Sequence, residues 1–148
     1  MKGLSKETIG VIGEIIVDHF LEEASRTDDW FDQDKDGTIG NKTYEVKTFR
    51  LNHKTQGFWV DESQWRKVDS VDKLFFVRVP ESKTEAAKLY LCEKHTDPLV
   101  YETMKTNNGN LVRSYHLKHC REIAVIPEDV SNILYDKSIE ISKWRRFN

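Results

Sequence analysis

The amino-acid sequence predicts an α/β fold: a mixed central β-sheet flanked by helices, built as one domain over residues 1–148. Three observations lead there. Apolar residues recur at helical spacing near the N-terminus, the period changes to two from Gly37, and short apolar segments separated by turn residues fill the rest of the chain.

Residues 5–23 read as a helix. Ser5 is placed to cap it, Glu7 falls in the first turn, and Ile9, Ile12, Ile16 and Phe20 share one face. Gly10 and Gly13 each weaken a helix by about 1 kcal/mol relative to Ala, so close packing against a sheet is the expected reason for both. Gly40-Asn41 is a two-residue hairpin turn, and Thr43 to Thr48 alternates, with Tyr44 and Val46 on one face and Glu45 and Lys47 on the other. Further strands are expected at Gly57–Val60, Lys73–Val79, Lys88–Glu93, Leu99–Met104, Leu111–His116 and Glu122–Ile126. A short polar helix fits Glu62–Ser70, Asn107 to Asn110 is a second hairpin turn, and a last helix fits Glu128–Trp144. Helices and strands in this order imply helices packed on a mixed sheet.

Composition narrows the function classes. With 38% apolar and 11% aromatic residues the chain can build a core, and no apolar run approaches the roughly 20 residues of a membrane helix. The N-terminus lacks a secretory signal pattern, and the two cysteines, Cys92 and Cys120, give no disulfide framework, so a cytoplasmic location is expected. A net charge of −2 by itself argues against a nucleic-acid binder, but its uneven distribution softens that. Residues 1–50 hold 11 Asp/Glu against 7 Lys/Arg, and 51–148 hold 14 against 16. An acidic cluster beside a mildly basic remainder suits a cation site next to a polyanion surface.

The stretch DQDKDGTIGNKTYEVKT, residues 32–48, admits two readings. Asp32, Asp34, Asp36 and Gly37 match the opening of an EF-hand calcium loop. That loop needs a bidentate Glu at its twelfth position and a helix afterwards. Here the twelfth residue is Thr43 and the following segment alternates like a strand, so the calcium reading fails at its strongest ligand. The second reading is geometric. A turn at Gly40-Asn41 puts Asp36 directly opposite Glu45, with Cβ atoms about 5 Å apart on one face. Lys47, two residues on, projects from that same face, as does Asp34 opposite it. Two carboxylates able to share a divalent cation, with a lysine beside them, are what metal-assisted phosphodiester hydrolysis requires.

Asp36…Glu45-Val46-Lys47 resembles the PD-(D/E)xK nuclease superfamily, which includes restriction enzymes, junction resolvases and phage nucleases. The resemblance covers roughly residues 9–79. It implies a restriction-endonuclease-like fold and a Mg²⁺ or Mn²⁺ cofactor held by Asp36, Glu45 and Val46, with Lys47 as the catalytic lysine. It also implies roles for Glu14 on the first helix and for Gln64 on the helix after the catalytic strand. Lys35 stands where the family often has proline, which leaves Asp34 and Asp36 as rivals for the first ligand; the hairpin register favours Asp36.

Basic residues beside this centre, Arg50, Lys54, Arg66 and Lys67, are the candidate DNA contacts. A second cluster surrounds Trp144 in SKWRRF. Cys92, His95, His116, His119 and Cys120 have zinc-type donors, although no CxxC pair anchors them. The expected function is thus Mg²⁺-dependent cleavage of DNA, by a structure-selective nuclease or by a compact restriction enzyme acting as a homodimer. The rivals are a non-catalytic DNA-binding or inhibitor protein on the same fold, and a calcium-binding module using Asp32, Asp34 and Asp36.

Overall fold

A computed structural model describes residues 6–20, 24–26, 36–50, 57–79 and 86–127, together with Asn132 and Asp136. Helix α1 spans Lys6–Phe20 and is followed by strand β1, Ala24–Arg26. Strands β2 (Gly37–Ile39) and β3 (Lys42–Arg50) form the hairpin, and β4 (Gly57–Asp61) leads through a 3₁₀ turn at Glu62–Gln64 into α2, Trp65–Ser70. Then come β5 (Lys73–Val79), β6 (Ala87–Cys92), β7 (Tyr101–Lys105), β8 (Leu111–His116), a 3₁₀ turn at Leu117–His119, and β9 (Arg121–Ile126). Of the expected helix at Glu128–Trp144 the described residues are Asn132 and Asp136, both helical, and Lys54, Asp32 and Asp34 lie outside the described residues.

The α/β class agrees with the sequence, but the strands divide into two sheets rather than one. Six strands run in the order β1-β2-β3-β5-β6-β9, and β4-β8-β7 form a separate antiparallel sheet. In the larger sheet β3 and β5 pair in parallel, and every other neighbour pair is antiparallel. The parallel pair needs a crossover, and β4 with α2 supplies it. Period-two patterning cannot tell which strands share a sheet, because both sheets bury one face in the same core.

Strand β5 is buried on both faces, which explains its nearly unbroken apolar sequence KLFFVRV. Phe75 and Val77 meet Ile9, Ile12 and Ile16 of α1, together with Tyr44 and Val46 of β3. On the opposite face Leu74 and Phe76 meet Phe58, Val68, Tyr90 and Tyr115, with Phe58 and Phe76 stacked at 4.3 Å. The site described below lies on this second side of β3. Strand β1, the 3₁₀ turn at Leu117–His119 and the division into two sheets are the features not foreseen from the sequence.

The two helix glycines differ. A Cβ on Gly13 would stand 1.7 Å from Thr48 Oγ1, so α1 crosses β3 where only a hydrogen fits. A Cβ on Gly10 would meet nothing within 4 Å, so tight packing does not explain that glycine. Gly10→Ala should therefore stabilise the protein by about 1 kcal/mol through helix propensity alone. Gly13→Ala should lower the melting temperature by several degrees, because backbone must separate there. Equal responses of the two variants in thermal denaturation would contradict this packing.

The Gly40-Asn41 turn has the expected register for Ile39 with Lys42, Thr38 with Thr43 and Gly37 with Tyr44, but the expected next rung, Asp36 opposite Glu45, does not form, because the Asp36 N–H also turns to Tyr44 O. Gly40 alone takes a positive φ, 59°, the pattern of a turn with glycine at its first central position. The segment after the aspartate-rich loop is thus strand β3, where an EF-hand has a helix.

Candidate active site

The site begins where the hairpin ladder ends. Asp36 donates its backbone N–H to Tyr44 O at 2.9 Å, and its Oδ2 accepts from Val46 N at 2.7 Å. The side chain thus replaces the next rung of the ladder, which fixes the carboxylate beside β3. The N–H and C=O of one residue in an extended strand project to the same edge, so the Val46 carbonyl faces the Asp36 side as well.

Glu45 is only 1% exposed, and Asp36 and Glu14 are buried beside it at 7% and 8%. Glu45 stands within hydrogen-bonding reach of Asp36, and so does Glu14. Burial, the hydrogen bond to Asp36 and the charge of Asp36 push the Glu45 carboxyl up to about 9. Burial also acts to raise Asp36, but the hydrogen bond from Glu45, the charge of Lys67 and the Val46 N–H outweigh it, holding Asp36 below its ordinary value. The two carboxyls therefore titrate as a linked pair, with the proton held more tightly on the Glu45 side.

Lys47 extends from the same face of β3 and donates to Gln64 Oε1 at 2.6 Å. Its burial lowers the ammonium's proton affinity, against the pull of Glu45 and Asp36. Lys67, one turn along from Gln64, places its Nζ 3.2 Å from Glu45 Oε2 and 3.5 Å from Asp36 Oδ1. The contact to Glu45 is an ion pair without hydrogen-bond geometry, so the buried Oε2 has no hydrogen-bond donor among the described residues. Burial weakens the Lys67 ammonium, but the two carboxylates more than compensate and raise its proton affinity.

Helix α2 is held firmly enough to aim these groups. Arg113 of β8 makes a bidentate pair with Asp69 at 2.6 and 2.9 Å, and its guanidinium lies between the rings of Trp65 and Tyr101 at 4.8 and 4.4 Å. Trp65 Nε1 donates to Val60 O at 2.8 Å. His95 Nε2 lies 3.1 Å from both Val68 O and Val71 O, so this nitrogen carries the hydrogen and ties down the end of α2.

The structure thus brings together Glu14, Asp36, Glu45, Val46, Lys47 and Gln64, all singled out from the sequence. Lys67 differs: expected among the surface DNA contacts, it turns inward onto the carboxylates. Its spacing from Gln64 was the available signal, since residues three apart share a helix face. Arg50 and Arg66 are exposed. Arg113 was missed, because nothing local marks an arginine that acts through a distant helix.

The zinc-type residues do not assemble. His95 is committed to carbonyls, and His116 Nδ1 accepts from Lys118 N at 3.0 Å. Cys120 Sγ lies 3.7 Å from His116 O, and its interaction with the Cys92 thiol lowers Cys92 and raises Cys120. Among the described residues no three His, Cys, Asp or Glu side chains form a ready metal-binding group. A divalent cation would have hard oxygen donors from Asp36, Glu45 and the Val46 carbonyl. The orphaned Glu45 oxygen, with an ammonium lodged against it, fits such an ion. Compared with protein-family models, curated proteins and solved structures, the chain matches none.

Proposed function

We propose that this chain is a Mg²⁺- or Mn²⁺-dependent endonuclease that hydrolyses DNA phosphodiesters with a PD-(D/E)xK type of site. The observation that carries the reading is the meeting of Asp36, Glu45, Lys47 and Gln64 from three separate segments around a buried carboxylate oxygen that has no hydrogen-bond donor among the described residues. An ordinary surface hairpin with alternating charges has no reason to bury Glu45 at 1% exposure.

Asp36, Glu45 and the Val46 carbonyl would hold the cation, which supplies polarisation of the scissile phosphate and acidification of a bound water. Glu14, in hydrogen-bonding reach of Asp36, orients that carboxylate. Lys47, anchored through one N–H to Gln64, keeps further donors to orient the attacking water and to stabilise charge building on the phosphate oxygens. Exposed Arg50 and Arg66 suit backbone phosphates, and Lys54, close in sequence, is a further candidate contact. No helix among the described residues is long and apolar enough to cross a membrane, and DNA in the cytoplasm is the proposed substrate. A small chain of this kind fits a nuclease selective for DNA structure, or a restriction-type enzyme working as a dimer.

The test is incubation with supercoiled plasmid, branched DNA and single strands. Mg²⁺ or Mn²⁺ should support cleavage, Ca²⁺ should support binding without cleavage, and binding should weaken steeply with salt. Intact substrates throughout, with either catalytic metal, would refute the nuclease assignment.

A further inference from the structure

We propose that Lys67 is a tethered counter-ion that occupies the divalent-cation position until metal displaces it; this rests on the nuclease reading above. The Lys67 side chain is 21% exposed, and its ammonium lies within 3.5 Å of one oxygen from each of Asp36 and Glu45. An ion shared by those two carboxylates would take the same place between the same oxygens. Two cations cannot stand there together without strong repulsion, so uptake of a metal ion requires the ammonium to leave.

Lysine suits this use. Its charge is compact and sits on a four-carbon stem that can swing out without moving the helix, whereas a planar guanidinium would be fixed by its fork of donors. The helix itself stays in place, held by the Asp69–Arg113 pair and by the Trp65 Nε1 bond to Val60 O. The two lysines therefore have separate duties. Lys47 is tied to Gln64 and is not lodged between the acids, while Lys67 neutralises the acids in the metal-free protein. Without Lys67, the two buried carboxyl groups would lose the ammonium that stands between them, and a metal ion would meet no competitor.

The experiment is equilibrium binding of Mn²⁺ alone, without DNA, to the wild-type chain and to Lys67→Met and Lys67→Gln. Both variants should bind Mn²⁺ on the order of tenfold more tightly, a coupling of ordinary size for two ligands of one site. Their melting temperatures should be lower than wild type in chelator and should rise more steeply with Mn²⁺, which also confirms that they fold. If wild type binds Mn²⁺ and the variants bind it no tighter, the counter-ion role is wrong and the nuclease reading stands. If none of the three takes up Mn²⁺, both fall together.

Discussion

Glu45→Gln should make the metal-free protein more resistant to alkaline destabilisation while abolishing metal-dependent cleavage. Burial, the hydrogen bond to Asp36 and the Asp36 charge raise the folded-state value of Glu45 to about 9, against an ordinary value of 4.5. Below pH 4.5 both folded and unfolded chains hold the proton, and the stabilisation from this group is fully present. As pH rises toward 9 the unfolded chain releases the proton and the folded chain keeps it, so stability is lost across that window. For one proton the loss is at most about 1.4 kcal/mol per pH unit. Asp36 has the opposite sign: its folded value lies below 3.8, so its contribution is present above that pH and is lost in acid. The metal-free wild type should therefore be most stable in mildly acidic solution. Glutamine keeps the neutral shape and cannot ionise, so its melting temperature in chelator should fall less between pH 5 and 9. Parallel curves for the two proteins would mean that Glu45 is already ionised in the fold.

Lys47→Ala should lower the cleavage rate by about 10²–10³-fold with little effect on DNA affinity, because its donors are aimed at charge that develops during reaction. Phosphate contacts elsewhere on the surface hold the DNA, so the loss belongs in kcat more than in KM. Gln64→Ala should give a smaller loss, since the amide acts on the reaction through its 2.6 Å bond to the Lys47 ammonium. Asp36→Ala should remove turnover, because it deletes both a candidate ligand and the acceptor for Val46 N. Initial rates on supercoiled plasmid with saturating Mg²⁺ separate these cases. Cutting by Lys47→Ala at the wild-type rate would remove that lysine from the site.

The hairpin was legible because its information is local. A glycine in a two-residue turn sets the register, and period-two alternation then puts Glu45 and Lys47 on one side and Tyr44 and Val46 on the other. Strands such as Lys73–Val79 and Leu111–His116 were legible for the same reason, since their apolar runs end at turn residues.

Contiguous sequence by itself thus determined the elements, the turn at Gly40-Asn41 and the hairpin register as far as Gly37 and Tyr44. Tertiary structure decided the rest. It buried Glu14 against Asp36, carried Gln64 onto Lys47, turned Lys67 inward, spent His95 and His116 on backbone groups and split the strands between two sheets. Backbone periodicity and turn chemistry act between neighbours in the chain. The meeting of side chains from α1, β3 and α2 depends on how whole elements pack, and that is fixed by the joint filling of one core rather than by any short stretch of residues.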